Sequence, residues 1–101
     1  MKKKITLAFI LISSFISAQI KGTVTDTNGN ALPYVNIYIE NTYIGTTTNE
    51  NGKYVLNVNT AKNVTLLFQY LGYKTQKHVL NITQNPFIYD VTLQEEDFQL
   101  N

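Results

Sequence analysis

The run Thr46-Thr47-Thr48-Asn49-Glu50-Asn51-Gly52-Lys53-Tyr54-Val55-Leu56-Asn57-Val58 decides how the rest of the chain is read. From Tyr54 onward the apolar pattern has a period of two. Tyr54, Leu56 and Val58 fall on one face, Val55 and Asn57 on the other, which is the signature of a half-buried strand rather than a helix. Asn49-Glu50-Asn51-Gly52 ahead of it is a turn signal, with Gly52 suited to a positive φ. The threonines before the turn are β-branched and favour extended backbone in spite of their polarity. The segment therefore predicts a short polar strand, a hairpin turn and an alternating strand.

Working outward, the same period recurs. Ile20, Gly22 and Val24 alternate with Lys21, Thr23 and Thr25, and Asp26-Thr27-Asn28-Gly29-Asn30 closes that strand with a tight turn. Leu32-Pro33 leads into Val35, Ile37 and Ile39 facing in, with Asn36, Tyr38 and Glu40 facing out. Val64 to Tyr70 is the most apolar stretch, and it predicts a central strand covered on both faces. After Gly72, Tyr73 to Leu80 predicts an edge strand that carries Lys74, Gln76 and a solvated His78 on one side. Tyr89, Val91 and Leu93 close the domain, and Tyr54, Tyr70 and Tyr89 share the inward register. The whole predicts an all-β fold, an antiparallel Greek-key β-sandwich of seven short strands.

Residues 1–18 have a different character. Lys2, Lys3 and Lys4 precede an apolar run from Ile5 to Ile16, and Ser17-Ala18 offers a small-residue cleavage site before Gln19. These are the parts of an export signal peptide, and the apolar run is short for a bilayer span. An uncleaved anchor is the weaker alternative. The chain divides into a leader over residues 1–18, a domain over 19–94 and an acidic tail over 95–101. With no cysteine anywhere, neither a lipobox attachment nor a disulfide can contribute, so the small domain must rely on apolar packing and a full hydrogen-bond ladder.

Beyond residue 18 there is no Ser, Cys, Arg, Trp or Met, which removes serine and cysteine nucleophiles. His78 is the one histidine and lacks HxxE or HExxH company, so no metal site is expected. No glycine-rich loop opens a helix, and no cofactor is expected. Lys21, Lys53, Lys62, Lys74 and Lys77 are slightly outnumbered by the acids, and no basic face suggests nucleic acid or anionic lipid. The composition therefore reads as that of a protein that is not an enzyme.

Ile20-Lys21-Gly22-Thr23-Val24-Thr25-Asp26, Gly29, Leu32-Pro33, Val35-Asn36-Ile37, Gly45 to Tyr54 and Leu67 to Gln76 form an ordered series. That series resembles the carboxypeptidase-regulatory-like domain, a transthyretin-like sandwich common in Bacteroidota, over residues 19–94. The resemblance implies placement more than chemistry. Such domains follow the signal peptide of TonB-dependent receptors of the SusC/RagA type and of related outer-membrane proteins. It implies an exported, non-catalytic interaction module in the periplasm, the outer membrane or at the cell surface. Its partner would be an outer-membrane protein or downstream domains of the same polypeptide.

The alternative is a free-standing secreted domain that binds glycan or peptide through outward aromatic rings. Tyr38 and Tyr43 are the binding candidates for that reading. Other features read more plainly. Asp26 to Asn30 has its glycine at the fourth rather than the sixth position of a calcium loop, and Ile37 stands where the twelfth-position Glu belongs, so it reads as a turn. The sequons at Asn63 and Asn81 are expected to carry nothing in a bacterial protein. A Lys21–Asp90 crosslink between first and last strands is disfavoured by the outward register of Lys21.

Overall fold

The computed structural model describes residues 17–59 and 63–97. The leader, apart from Ser17 and Ala18, lies outside the described residues, as do Lys62 and the last four residues of the tail. Eight strands follow in chain order: β1 Ala18–Thr25, β2 Asn36–Ile39, β3 Gly45–Thr47, β4 Lys53–Val58, β5 Asn63–Gln69, β6 Gln76–Asn81, β7 Phe87–Ile88 and β8 Val91–Thr92. They form two sheets, and none of the described residues is helical. The first sheet has β1 between β4 and the β7–β8 pair, and the second runs β3-β2-β5-β6.

The alternation seen in the sequence is the alternation of burial. Tyr54, Leu56 and Val58 of β4 are buried while Lys53, Val55 and Asn57 are exposed. Val64, Leu66 and Phe68 of β5 do the same from the other sheet. Ile20, Val24, Val35, Ile37 and Leu93 fill the space between them. Each such side chain contributes roughly 1.5–3 kcal/mol by leaving water. Phe68 meets the ring of Tyr54 edge-on across the core, with centroids 5.9 Å apart.

Four expectations need correction. The strand count is eight because the final strand is interrupted at Tyr89-Asp90. The sandwich is not purely antiparallel, since β7 and β8 both run parallel to β1. β5 is central in its sheet, between β2 and β6, but it is covered on one face only, and Thr65 and Leu67 look outward half-exposed. Finally, Asn49-Glu50-Asn51-Gly52 does not close a hairpin, because β3 and β4 belong to different sheets.

That last turn is a corner. The Asn49 carboxamide oxygen accepts the N–H groups of Asn51 and Lys53 at 2.8 and 3.0 Å. Gly52 adopts φ 76°, and a Cβ there would stand 2.7 Å from the Val24 carbonyl oxygen, so glycine is required twice over. Thr48 is the pivot. It is 1% exposed, its hydroxyl donates to the Leu32 carbonyl at 2.6 Å, and it accepts the Val35 N–H at 2.9 Å. One side chain thereby ties two of the sheet-to-sheet crossings together, β1 to β2 and β3 to β4, and no buried polar side-chain atom among the described residues lacks a partner. The Asp26 turn forms as read from the sequence, with the carboxylate accepting the N–H groups of Asn28 and Asn30, both at 2.9 Å. The Asn30 N–H is the main reason the Asp26 carboxyl sits below its ordinary range.

Candidate functional site

Tyr38 lies half-buried on the outer face of β2, opposite Gly45 of β3 and Leu67 of β5. Because Gly45 has no side chain, the sheet is hollowed beside the tyrosine. The result is a shallow trough of about 450 Å³ that Asn36, Thr46, Thr47 and Gln69 also line. One aromatic ring beside two carboxamides and the Thr47 hydroxyl, which shares the outward register of Asn36, is a surface able to stack and hydrogen-bond a polar ligand. Tyr43 is fully exposed in the β2–β3 turn and is not among the trough residues. The structure therefore does not join the two tyrosines into one site.

A second hollow of about 510 Å³ lies on the outer face of the first sheet, where Val55 and Ile88 flank Lys21 in register. Lys53 and Asp90 also line it. Lys21 and Asp90 thus share a surface, but the Asp90 carboxylate accepts the Thr23 N–H at 2.9 Å. It stands in for the backbone carbonyl that the interruption between β7 and β8 removes from the ladder.

The best-ordered polar array is on the inner side. Tyr54 donates its hydroxyl to the Tyr89 carbonyl at 2.6 Å. The Tyr89 hydroxyl and His78 Nδ1 are 2.7 Å apart, His78 Nε2 and Gln76 Oε1 are 2.8 Å apart, and Gln76 Nε2 donates to the Thr92 carbonyl at 2.8 Å. Because the Gln76 amide nitrogen is committed to Thr92, its oxygen must accept. His78 therefore carries its proton on Nε2, and Nδ1 accepts from Tyr89. The array stitches β6 of one sheet to β4 and the β7–β8 segment of the other.

This overturns the solvated His78. Its ring packs edge-on against Phe68 and Tyr89, with centroids 5.5 and 5.3 Å away. Burial lowers its pKa below the usual 6.5 and favours the neutral ring. The Tyr54 hydroxyl is held protonated by burial first, and by the Asp90 carboxylate and Tyr89 second. Both ring nitrogens of His78 are engaged and Gln76 cannot exchange a proton, so the array as bonded is a strut between the sheets. The sequence did hold a signal for His78: Leu80 and Ile82 share its parity, and both are buried. Among the described residues, no three potential metal ligands come together.

The chain matches the CarboxypepD_reg-like domain over residues 20–101. It belongs to that family. Among curated proteins it is 37% identical over 81 residues to TonB-dependent receptor P3 of Formosa agariphila, a match covering 76% of this chain and 8% of the receptor. The chain thus spans a small part of that relative's length. Solved structures share the fold of this chain at low identity. A type II cohesin–X-dockerin complex from Acetivibrio cellulolyticus superposes with TM-score 0.65 and 13% identity, covering 82% of this chain and 61% of that one. The 3-chlorocatechol 1,2-dioxygenase of Rhodococcus opacus 1CP gives TM-score 0.63 and 14% identity, with the same coverages of 82% and 61%. At these identities the likeness is one of β-sandwich architecture.

Proposed function

We propose that this chain is an exported, non-catalytic β-sandwich module that acts through protein contacts as the front part of an outer-membrane receptor or surface protein. Residues 1–18 serve as its leader. The observation that carries the reading is the receptor match, in which the segment similar to this chain accounts for 8% of a much longer polypeptide. A chain with no serine or cysteine nucleophile beyond the leader, and a histidine with both ring nitrogens engaged, supports a module without catalysis. The outer edge of β4 has no neighbouring strand among the described residues, which suits pairing with an extended segment of a partner.

The test is the size and membrane fraction of the native product, probed with an antibody to residues 19–94. A large species in the outer membrane is expected. A soluble species of only this length would sink the reading.

A second reading is favoured by the trough at Tyr38, whose ring and flanking amides suit glycan or peptide binding by a free-standing domain. A glycan or peptide ligand bound by the wild type and lost in Tyr38→Ala, with Tyr43→Ala as a parallel variant, would establish it.

A further inference from the structure

The junction between leader and domain is part of the folded sheet. Ala18 is 6% exposed, belongs to the core, and stands opposite Val58 at the start of the β1–β4 ladder. Gln19 stands opposite Asn57. On the other side of the same strand, Asn85 closes over the junction. Its Oδ1 accepts the Gln19 N–H at 3.0 Å, and its Nδ2 donates to the Ser17 carbonyl at 3.4 Å. The Ala18–Gln19 peptide is therefore engaged along both edges, and the small side chain ahead of it faces inward. No linker separates the leader from the first strand.

A leader peptidase takes its substrate as an extended strand and needs the small residue before the bond for its own pocket. The folded domain withholds both. We propose that the Ala18–Gln19 bond can be cut only before the domain folds, so that folding closes the processing site. This inference rests on the leader reading above.

The chemistry is a hydrolysis in which water adds across the amide. The Ala18 carboxylate departs with the leader, and Gln19 gains an ammonium group. That group retains N–H donors for Asn85 Oδ1, and the ladder loses only the Ala18–Val58 pair, so the cut chain can complete the same sheet. The converse constraint is as strong. β4, β7 and β8 all pair with β1, so while the leader holds β1 extended in the membrane or the peptidase, the first sheet has no middle strand.

The full precursor, refolded and offered to purified signal peptidase in detergent micelles, tests this with product masses as the readout. The folded precursor should be cut at Ala18–Gln19 roughly 100-fold more slowly than a Phe68→Asp precursor, which an unpaired charge in the core keeps unfolded, because cleavage then waits on an opening of the sheet. A folded variant with a flexible Gly-Ser segment inserted between Gln19 and Ile20 should be cut as fast as the unfolded chain. Equal rates for folded wild type and unfolded variant overturn the inference and leave the leader reading standing. Cleavage at a different bond, or at none in any of the three proteins, overturns the leader reading itself.

Discussion

The two sheets of the sandwich are built in different ways. In the second sheet, β2 pairs with β3 and β5 with β6 across short turns, and both are ordinary antiparallel hairpins. In the first, every ladder runs through β1, and four of its side-chain ties reach across 66 to 68 residues. One sheet is two local hairpins joined by a single long-range ladder between β2 and β5, while the other is a set of distant segments gathered around the first strand. The difference teaches where the domain is vulnerable. A defect in β1 takes away three partners at once, whereas a defect in β3 or β6 removes an edge.

The largest loss is expected where both sheets meet. Phe68→Ala empties the core between Tyr54 and His78 and should destabilise the domain by about 3–5 kcal/mol in denaturant unfolding. Gly22→Ala breaks the asymmetry more selectively. A Cβ on Gly22 collides with the Tyr89 carbonyl and stands 2.9 Å from the Tyr54 ring, so about 1–3 kcal/mol should go. Hydrogen exchange should then quicken in β1, β4 and β7 while β2 and β5 stay protected. Equal loosening of both sheets would contradict the picture of a separable first sheet.

Thr48→Val keeps the shape of the corner but leaves the Val35 N–H and the Leu32 carbonyl unpaired. A loss of about 1–3 kcal/mol in thermal or denaturant unfolding is expected.

A smaller effect concerns the stitch between the sheets, and it depends on pH. The pKa of His78 is lower in the folded domain than its ordinary 6.5, so the unfolded chain takes up the proton first as the pH falls. The stabilisation is therefore whole above about pH 6.5 and is lost as the pH drops through that value toward the folded pKa. Unfolding midpoints measured between about pH 7.5 and 5 should show this slope in the wild type and lack it in His78→Gln. Smallest of all, Tyr43→Ala should leave stability within about 0.5 kcal/mol, since its side chain touches only solvent.

The same contrast explains what the sequence disclosed. β4 was legible because it buries one parity and exposes the other. β5 was legible as a central strand but not in its one-sided burial, because Leu67 adds an apolar residue to its outer face. The turn at Asp26 was legible because its side chain satisfies its own backbone. The allocation of strands to sheets was hidden, because Asn49 to Gly52 carries the same residues whether it closes a hairpin or turns a corner. Thr48 gave no warning either, since a buried threonine and a strand-forming one are the same letter. His78 was misplaced because it shares its parity with Lys74 and Gln76, two polar residues that invite a solvated reading of that side. Of the candidate site, Tyr38 could be put on an outer face from its register. The hollow beside it depends on Gly45 standing across the strand, a pairing that alternation alone does not specify.

The parallel course of β1 beside β7 and β8 has a mechanical consequence. With its first and last strands pointing the same way, the chain enters the first sheet at one pole and leaves it at the other. Tension between the two ends pulls these strands past each other lengthwise. The Tyr89–Lys21 and Leu93–Thr25 backbone bonds, together with the Asn85 and Asp90 side-chain bonds, are then strained in shear and share the load at the same moment. A hairpin pulled from its open end meets the force one bond at a time. Resistance to pulling is set by the rate of unfolding, and here that rate depends on the simultaneous failure of a row of bonds, so the seam along β1 is where the domain would hold its shape under a pull.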